Sequence, residues 1–210
     1  MGDAGFTTYL VDDDPAVLRS ISRLLAAGGY KTRCFSSPQK FLSEHDPFAP
    51  GCAIIDLVMS ELDGLRVQEA LMRSGCQLPV IFLTGRGDVS TSVKAMKAGA
   101  VDFLSKPVTR AALFSAIVHA AELDAASRQK RHDLELIEAR LTTLTRRERE
   151  VLEHVIAGRL NKQIAASLGT VEKTIKVHRG RMMTKLGVRS VAELVRLADR
   201  AEISPVLSEP

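Results

Sequence analysis

Residues 52–56, Cys52-Ala53-Ile54-Ile55-Asp56, place an apolar run directly ahead of a carboxylate. Residues 79–84, Pro79-Val80-Ile81-Phe82-Leu83-Thr84, repeat the arrangement with a hydroxyl at the end. Runs this uniformly apolar suit strands covered on both faces, as in parallel sheets. Thr7–Val11, Lys31–Phe35 and Val101–Ser105 add three further runs. Helical patterns with start and stop signals lie between them. Asp14-Pro15 supplies an N-cap and a first-turn proline ahead of Val17, Leu18, Ile21 and Leu25, and Ser37-Pro38 repeats the device. Gly28-Gly29 and Gly99 are placed to end helices, because glycine takes the left-handed conformation without strain. Strands alternating with helices predict an α/β doubly wound parallel sheet.

The functional crevice of such a sheet lies outside the carboxyl ends of its strands. Here the first strand runs into Asp12-Asp13-Asp14, the third ends in Asp56, the fourth in Thr84, and the fifth leads to Lys106-Pro107. Carboxylates brought that close repel one another, and a hard divalent ion such as Mg²⁺ relieves the repulsion. A lysine and a hydroxyl beside that ion suit an incoming phosphoryl group. Asp14 reads more simply as the helix cap. Asp56 closes an apolar run near a core and needs partners.

The 210 residues are 45% hydrophobic and 26% charged, with mean hydropathy +0.03, which excludes a wholly disordered chain. No run approaches the roughly 18 apolar residues of a membrane span; Ala111–Ala121 is shorter and contains His119. The start has no secretory h-region, and Phe6 occupies the Ser/Thr position needed after Met1-Gly2 for myristoylation. The chain therefore reads as cytoplasmic, with no membrane partner. Cys34, Cys52 and Cys76 form no CxxC pair and are expected to be small buried hydrophobes. The five histidines lack an HExxH spacing, which argues against a zinc enzyme.

Charge divides the chain. Residues 1–124 carry 12 of the 29 Lys/Arg and 14 of the 25 Asp/Glu, a balance of −2; residues 125–210 carry the other 17 and 11, a balance of +6. The basic part is helical in pattern. Thr145–Glu148 and Ser190–Glu193 read as capping boxes. One helix would bury Val151, Leu152, Val155 and Ile156 and end before Gly158. A short helix would carry Ile164, Ala165 and Leu168 and end near Gly169. Thr170 would cap a longer helix with Val171, Ile175, His178, Met182 and Leu186 on one stripe, which gives His178 a packing role. Lys173, Lys176, Arg179 and Gly180 face the other way, with Arg181 and Lys185 alongside. This is helix-turn-helix geometry with a basic face. Thr109 would cap a helix burying Leu113, Ile117 and Ala121. The polar stretch Asp124–Arg140 fits either a helical connector or a flexible linker with one short helix.

Val11-Asp12-Asp13, Asp56 in DLVMSELDG, Thr84-Gly85 and Lys106-Pro107 together resemble the receiver domain of two-component response regulators. The run GRGDVSTSVKAMKAGAVDFLSKPV, residues 85–108, is similar to the FixJ/StyR-like branch of the NarL/FixJ family; its Arg86-Gly87-Asp88 triplet is taken as chance. LTRREREVLEHVIAGRLNKQIAASLGTVEKTIKVHRGRMMTKLGVRS resembles the LuxR-type helix-turn-helix domain. The resemblance implies a flavodoxin-like receiver at 6–122 with strand order 2-1-3-4-5, a helical linker at 123–141, and an all-α DNA-binding domain at 142–204.

It further implies that a sensor histidine kinase phosphorylates Asp56, and that Asp12, Asp13, Asp56 and the Val58 carbonyl hold Mg²⁺ or another divalent cation. Thr84 and Lys106 would contact the phosphate, Phe103 would be the aromatic switch, and the face carrying Val89–Phe103 would change shape. Lys176 and Val177 would approach base edges of promoter DNA, with Lys162, Lys173, Arg179 and Arg181 on phosphates. A phosphorylated homodimer acting on RNA polymerase would follow, with Leu194, Val195, Leu197 and Ala198 of the last helix as its DNA-domain surface. Two departures stand out. The family places proline after the methionine where this chain has Ser60, which predicts a looser loop after the phosphoacceptor strand. Gly180 stands where a polar or basic contact residue is common. The sequence also leaves room for a haloacid-dehalogenase-like phosphatase using Asp12, and for a phosphorelay intermediate that binds no DNA.

Overall fold

The computed structural model describes residues 5–85, 95–97 and 99–206. The Arg86-Gly87-Asp88 triplet and residues 89–94 and 98 of the expected switch face lie outside the described residues. The chain forms two compact units, residues 1–128 and 129–210.

The first unit runs β1 (Thr7–Val11), α1 (Pro15–Ala27), β2 (Lys31–Phe35), α2 (Pro38–Glu44), β3 (Gly51–Asp56), α3 (Gly64–Arg73), β4 (Val80–Thr84) and β5 (Asp102–Ser105), then enters the long helix α4 (Arg110–Leu141). The five strands form one parallel sheet in the order β2-β1-β3-β4-β5. Side chains alternate between two cores, as the strand period of two requires. Tyr9, Val11, Ala53, Ile55, Val80 and Phe82 pack with Phe41, Val67 and Leu71 of α2 and α3. Leu10, Ile54, Ile81 and Leu83 pack on the other face with Ile21 and Leu25 of α1 and Leu113 and Ile117 of α4. Each Val, Leu, Ile or Phe side chain among them, taken from water, contributes about 1.5–3 kcal/mol before conformational entropy is charged against it.

Local signals behave largely as the sequence indicates. The Asp14 carboxylate accepts from Ala16 N–H at 2.7 Å, and Ser37 Oγ accepts from Lys40 N–H at 3.5 Å. Thr109 Oγ1 accepts from Ala112 N–H at 3.3 Å. At the end of α1 the left-handed residue is Gly29 (φ +79°); Gly28 has an ordinary φ of −88°. Gly28 is small for another reason: a Cβ there would collide with the Phe114 ring. The cysteines divide. Cys52 and Cys76 are buried, but Cys34 is exposed, because β2 is the outermost strand and only Phe35 in it is fully covered.

Asp124–Arg140 is helical throughout, within α4. Pairs one turn apart support it, such as Arg128 Nε to Asp124 Oδ2 at 2.9 Å. In the second unit Ile137 and Leu141 at the end of α4 pack with α5 (Arg146–Ile156), α6 (Asn161–Ser167), α7 (Glu172–Leu186) and α8 (Val191–Arg200). The Thr145 capping box is complete: Glu148 N–H donates to Thr145 Oγ1 at 3.3 Å, and Thr145 N–H donates to Glu148 Oε2 at 2.9 Å. At α8 only half forms. Ser190 Oγ accepts from Glu193 N–H, but the Glu193 carboxylate accepts from Arg189 N–H, one residue further back. Thr170 does not cap α7; Val171 is the N-cap residue and has no side-chain acceptor to offer. Ile175, Met182 and Leu186 are buried as expected, His178 only partly, and Val171 is exposed. In α8, Leu194, Leu197 and Ala198 are buried within the unit, which leaves Val191 and Val195 as its large exposed apolar residues. The expected dimer surface is therefore much narrower than the sequence suggests.

Candidate functional site

The parallel register sets the carboxyl ends of the strands level. Val11 pairs with Ile55, Asp56 with Leu83, and Thr84 with Ser105. Residues up to 94 positions apart therefore meet in one place. Lys106 Nζ lies 2.7 Å from Asp12 Oδ2 and 2.9 Å from Asp56 Oδ1. Carboxylate oxygens of Asp12, Asp13 and Asp56 all lie within 4.8 Å of one another. Asp12 and Asp56 are buried; Asp13 is more open. The second oxygen of Asp12 accepts from Asp14 N–H at 2.9 Å.

Thr84 is buried at the end of β4, and its carbonyl accepts from Lys106 N–H at 2.6 Å. Phe103 pairs with Phe82 across β4 and β5 and is half-buried against the α2–α3 core. Val58, two residues beyond Asp56, turns its side chain to solvent. Gly64 holds the intervening loop close: a Cβ there would sit 2.6 Å from the Asp56 carbonyl oxygen, so only glycine fits. Ser60 contradicts the expected looser loop. Its N–H donates to Asp13 Oδ2 at 2.8 Å, which ties the loop after β3 to the end of β1.

The electrostatics follow from burial and from one shared cation. Burial pushes the Asp56 carboxyl above its ordinary range, against the pull of Lys106, and the like charge of Asp12 pushes the same way. Burial alone would lower Lys106, but its hydrogen bonds to Asp12 and Asp56 hold it above the ordinary lysine value. Asp13 is lowered, chiefly by the Ser60 N–H. If all three carboxylates are ionised, the cluster with its lysine carries two surplus negative charges. That oxygen-only donor set fits a hard divalent ion.

In the second unit Lys162 on α6 and Lys173, Lys176, Val177 and Arg181 on α7 are exposed. Lys176 Nζ lies 3.0 Å from Glu172 Oε1, an exposed pair one turn apart. Arg179 is half-buried and donates to Asn161 Oδ1 at 3.0 Å, so it braces α7 against the start of α6. A Cβ at Gly180 would meet nothing within 4 Å. Lys185, expected beside the basic face, instead reaches Glu148 Oε2 at 2.6 Å and the Thr143 carbonyl at 2.9 Å. Its four-carbon stem spans from α7 to α5, which helical spacing alone does not reveal. The Arg179–Asn161 and Ser60–Asp13 contacts were likewise missed; the polar pairing of Asn161 and the non-proline at position 60 were their only traces.

Together these features define a signalling protein in which an acidic sheet-end site is followed by a helix-turn-helix module. Residues 9–118 match the response regulator receiver domain, and residues 142–198 match the bacterial regulatory proteins of the luxR family. The chain belongs to the response regulators with a LuxR-type DNA-binding domain, and is a phosphorylation-activated transcription regulator. It is 42% identical to the response regulator protein TmoT of Ectopseudomonas mendocina over 97% of this chain and 93% of that one. It is 37% identical to the transcriptional regulatory protein FixJ of Rhizobium meliloti (strain 1021) over 92% and 95%. A structure of the response regulator StyR matches with TM-score 0.80 and 40% identity, covering 94% of this chain and all of that one. Full-length FixJ from B. japonicum matches with TM-score 0.57 and 36% identity over 96% and 99%. No helix among the described residues is long and apolar enough to cross a membrane.

Proposed function

We propose that Asp56 is the phosphoacceptor and that residues 6–122 act as the switch for a DNA-binding domain at 142–204, joined through 123–141. The observation that carries this reading is the Lys106 ammonium bridging Asp12 and Asp56, with Asp13 alongside. An Asp56 carboxylate oxygen attacks the phosphorus of a phosphohistidine on the sensor kinase; the P–N bond breaks and the imidazole leaves. Asp12, Asp13, Asp56 and the Val58 carbonyl would hold Mg²⁺, which offsets phosphoryl charge when bound. Lys106 and Thr84 receive the phosphoryl oxygens, and Phe103 follows Thr84. Asp12 suits a phosphatase nucleophile poorly, since it is fully buried and both its oxygens are engaged. We read the chain as a cytoplasmic switch and not as a turnover enzyme.

Phosphorylation then favours a homodimer whose two helix-turn-helix modules bind promoter DNA and act on RNA polymerase. Lys176 and Val177 are the base-reading candidates, and Lys162, Lys173 and Arg181 the phosphate contacts. Arg179 contributes to a phosphate contact only while it also braces Asn161. The basic module argues against a relay that binds no DNA. The test compares wild type with Asp56→Asn under a small phosphodonor. Wild type should take up acyl phosphate and extend its DNA footprint, and the variant should do neither; equal uptake in both removes the mechanism.

A further inference from the structure

Lys106 serves the two buried carboxylates of the acidic site and donates to neither oxygen of the third. Asp13 takes its close hydrogen bond from elsewhere, the backbone N–H of Ser60 at 2.8 Å, 47 residues further along the chain. Gly64, packed against the Asp56 carbonyl, and the Gly64 N–H donating to the Leu57 carbonyl at 3.0 Å close the loop that presents this donor. A proline at position 60, as the family resemblance leads one to expect, has no N–H to give.

We propose that the Ser60 backbone N–H is a positioning group for Asp13, holding its carboxylate turned into the cation cradle. This inference rests on the cation reading above. A carboxylate has two oxygens and about four acceptor sites, so the contacts from Ser60 leave others free toward Asp12 and Asp56. The three carboxylates already lie within 4.8 Å. An ion entering the cradle therefore finds Asp13 ordered and does not have to immobilise it, the usual advantage of a preorganised ligand. The serine hydroxyl also bonds to Asp13 but is secondary in this account, because the leading donor belongs to the main chain.

Calorimetric Mg²⁺ titration of the full chain, without phosphodonor, compares wild type, Ser60→Ala and Ser60→Pro. Ser60→Ala, which loses only the hydroxyl contact, should stay closer to wild type than Ser60→Pro, which should bind Mg²⁺ more weakly by roughly two- to tenfold, the cost of ordering one side chain. Equal affinity in wild type and Ser60→Pro overturns the inference alone, as does equal weakening in both variants. Absence of Mg²⁺ binding in wild type overturns the cation reading beneath it as well. Urea unfolding reports whether Ser60→Pro is folded. Should it not be, the Ser60 amide proton of the wild type decides: it should resonate downfield and move upfield in Asp13→Ala. An unmoved resonance overturns the contact.

Discussion

The two units handle charge in opposite ways. The sheet unit draws three acidic groups from two strand ends into one place and gives them a single lysine from a third; the helical unit spreads basic groups along the exposed face of α7. The first arrangement is long-range, with Lys106 and Asp12 separated by 94 positions; the second is local, built by residues three and four apart. Buried charge stores interaction energy that one phosphoryl group can redistribute. Exposed charge keeps its water until a polyanion arrives.

The sharpest way to break this contrast is Lys106→Ala. It should destabilise the sheet unit by about 3 kcal/mol, because two buried carboxylates lose their cation. Mg²⁺ should restore part of the loss, read by urea unfolding with and without the ion. The helical unit holds one exception, the buried Glu148 paired with Lys185. Burial would raise the Glu148 carboxyl, but Lys185 and the Thr145 cap outweigh it and hold the carboxyl below its ordinary value of 4.5. A lowered carboxyl stabilises the fold above the unfolded value and loses that contribution as pH falls through the folded one. Glu148→Gln should therefore cost about 1–3 kcal/mol near neutrality. Its difference from wild type should shrink in unfolding measured below pH 4.5.

Exposed charges should cost less to the fold and more to DNA. Lys176→Ala should weaken specific binding by about 1–3 kcal/mol, while Lys162→Ala weakens all sequences alike and reduces the salt slope by about 1. Footprinting at two salt concentrations separates them. The smallest effect belongs to Gly180→Ala. Its helical position is open on every side, so the fold should gain about 0.5–1 kcal/mol in chemical unfolding.

Strand ends were legible because a carboxylate, hydroxyl or lysine closing an apolar run marks both the fold and the crevice. Asp12, Asp56, Thr84 and Lys106 announced themselves in this way. Backbone donors leave no such mark, so the Ser60 N–H appeared only as an odd residue in a loop, read with the wrong sign. Side-chain reach was equally hidden. Lys185 and Arg179 sit at basic-face spacing, yet each turns to a partner on another helix. Cys34 was misread because composition does not say which strand lies outermost. The faces of α8 show the same limit: Leu194, Leu197 and Ala198 are apolar whether they meet a partner or their own core.

The level strand ends also set a tolerance. Lys106 is fixed by a ladder in which Thr84 opposes Ser105, and its own N–H closes onto Thr84. Deleting one residue from β5 would draw the ammonium back about 3.3 Å and reverse the face of every side chain before it. Spacing between Phe103 and Lys106 is therefore held more rigidly than identity at many core positions. Length changes in the loops at the opposite, amino-terminal end of the sheet would leave that ammonium where it stands.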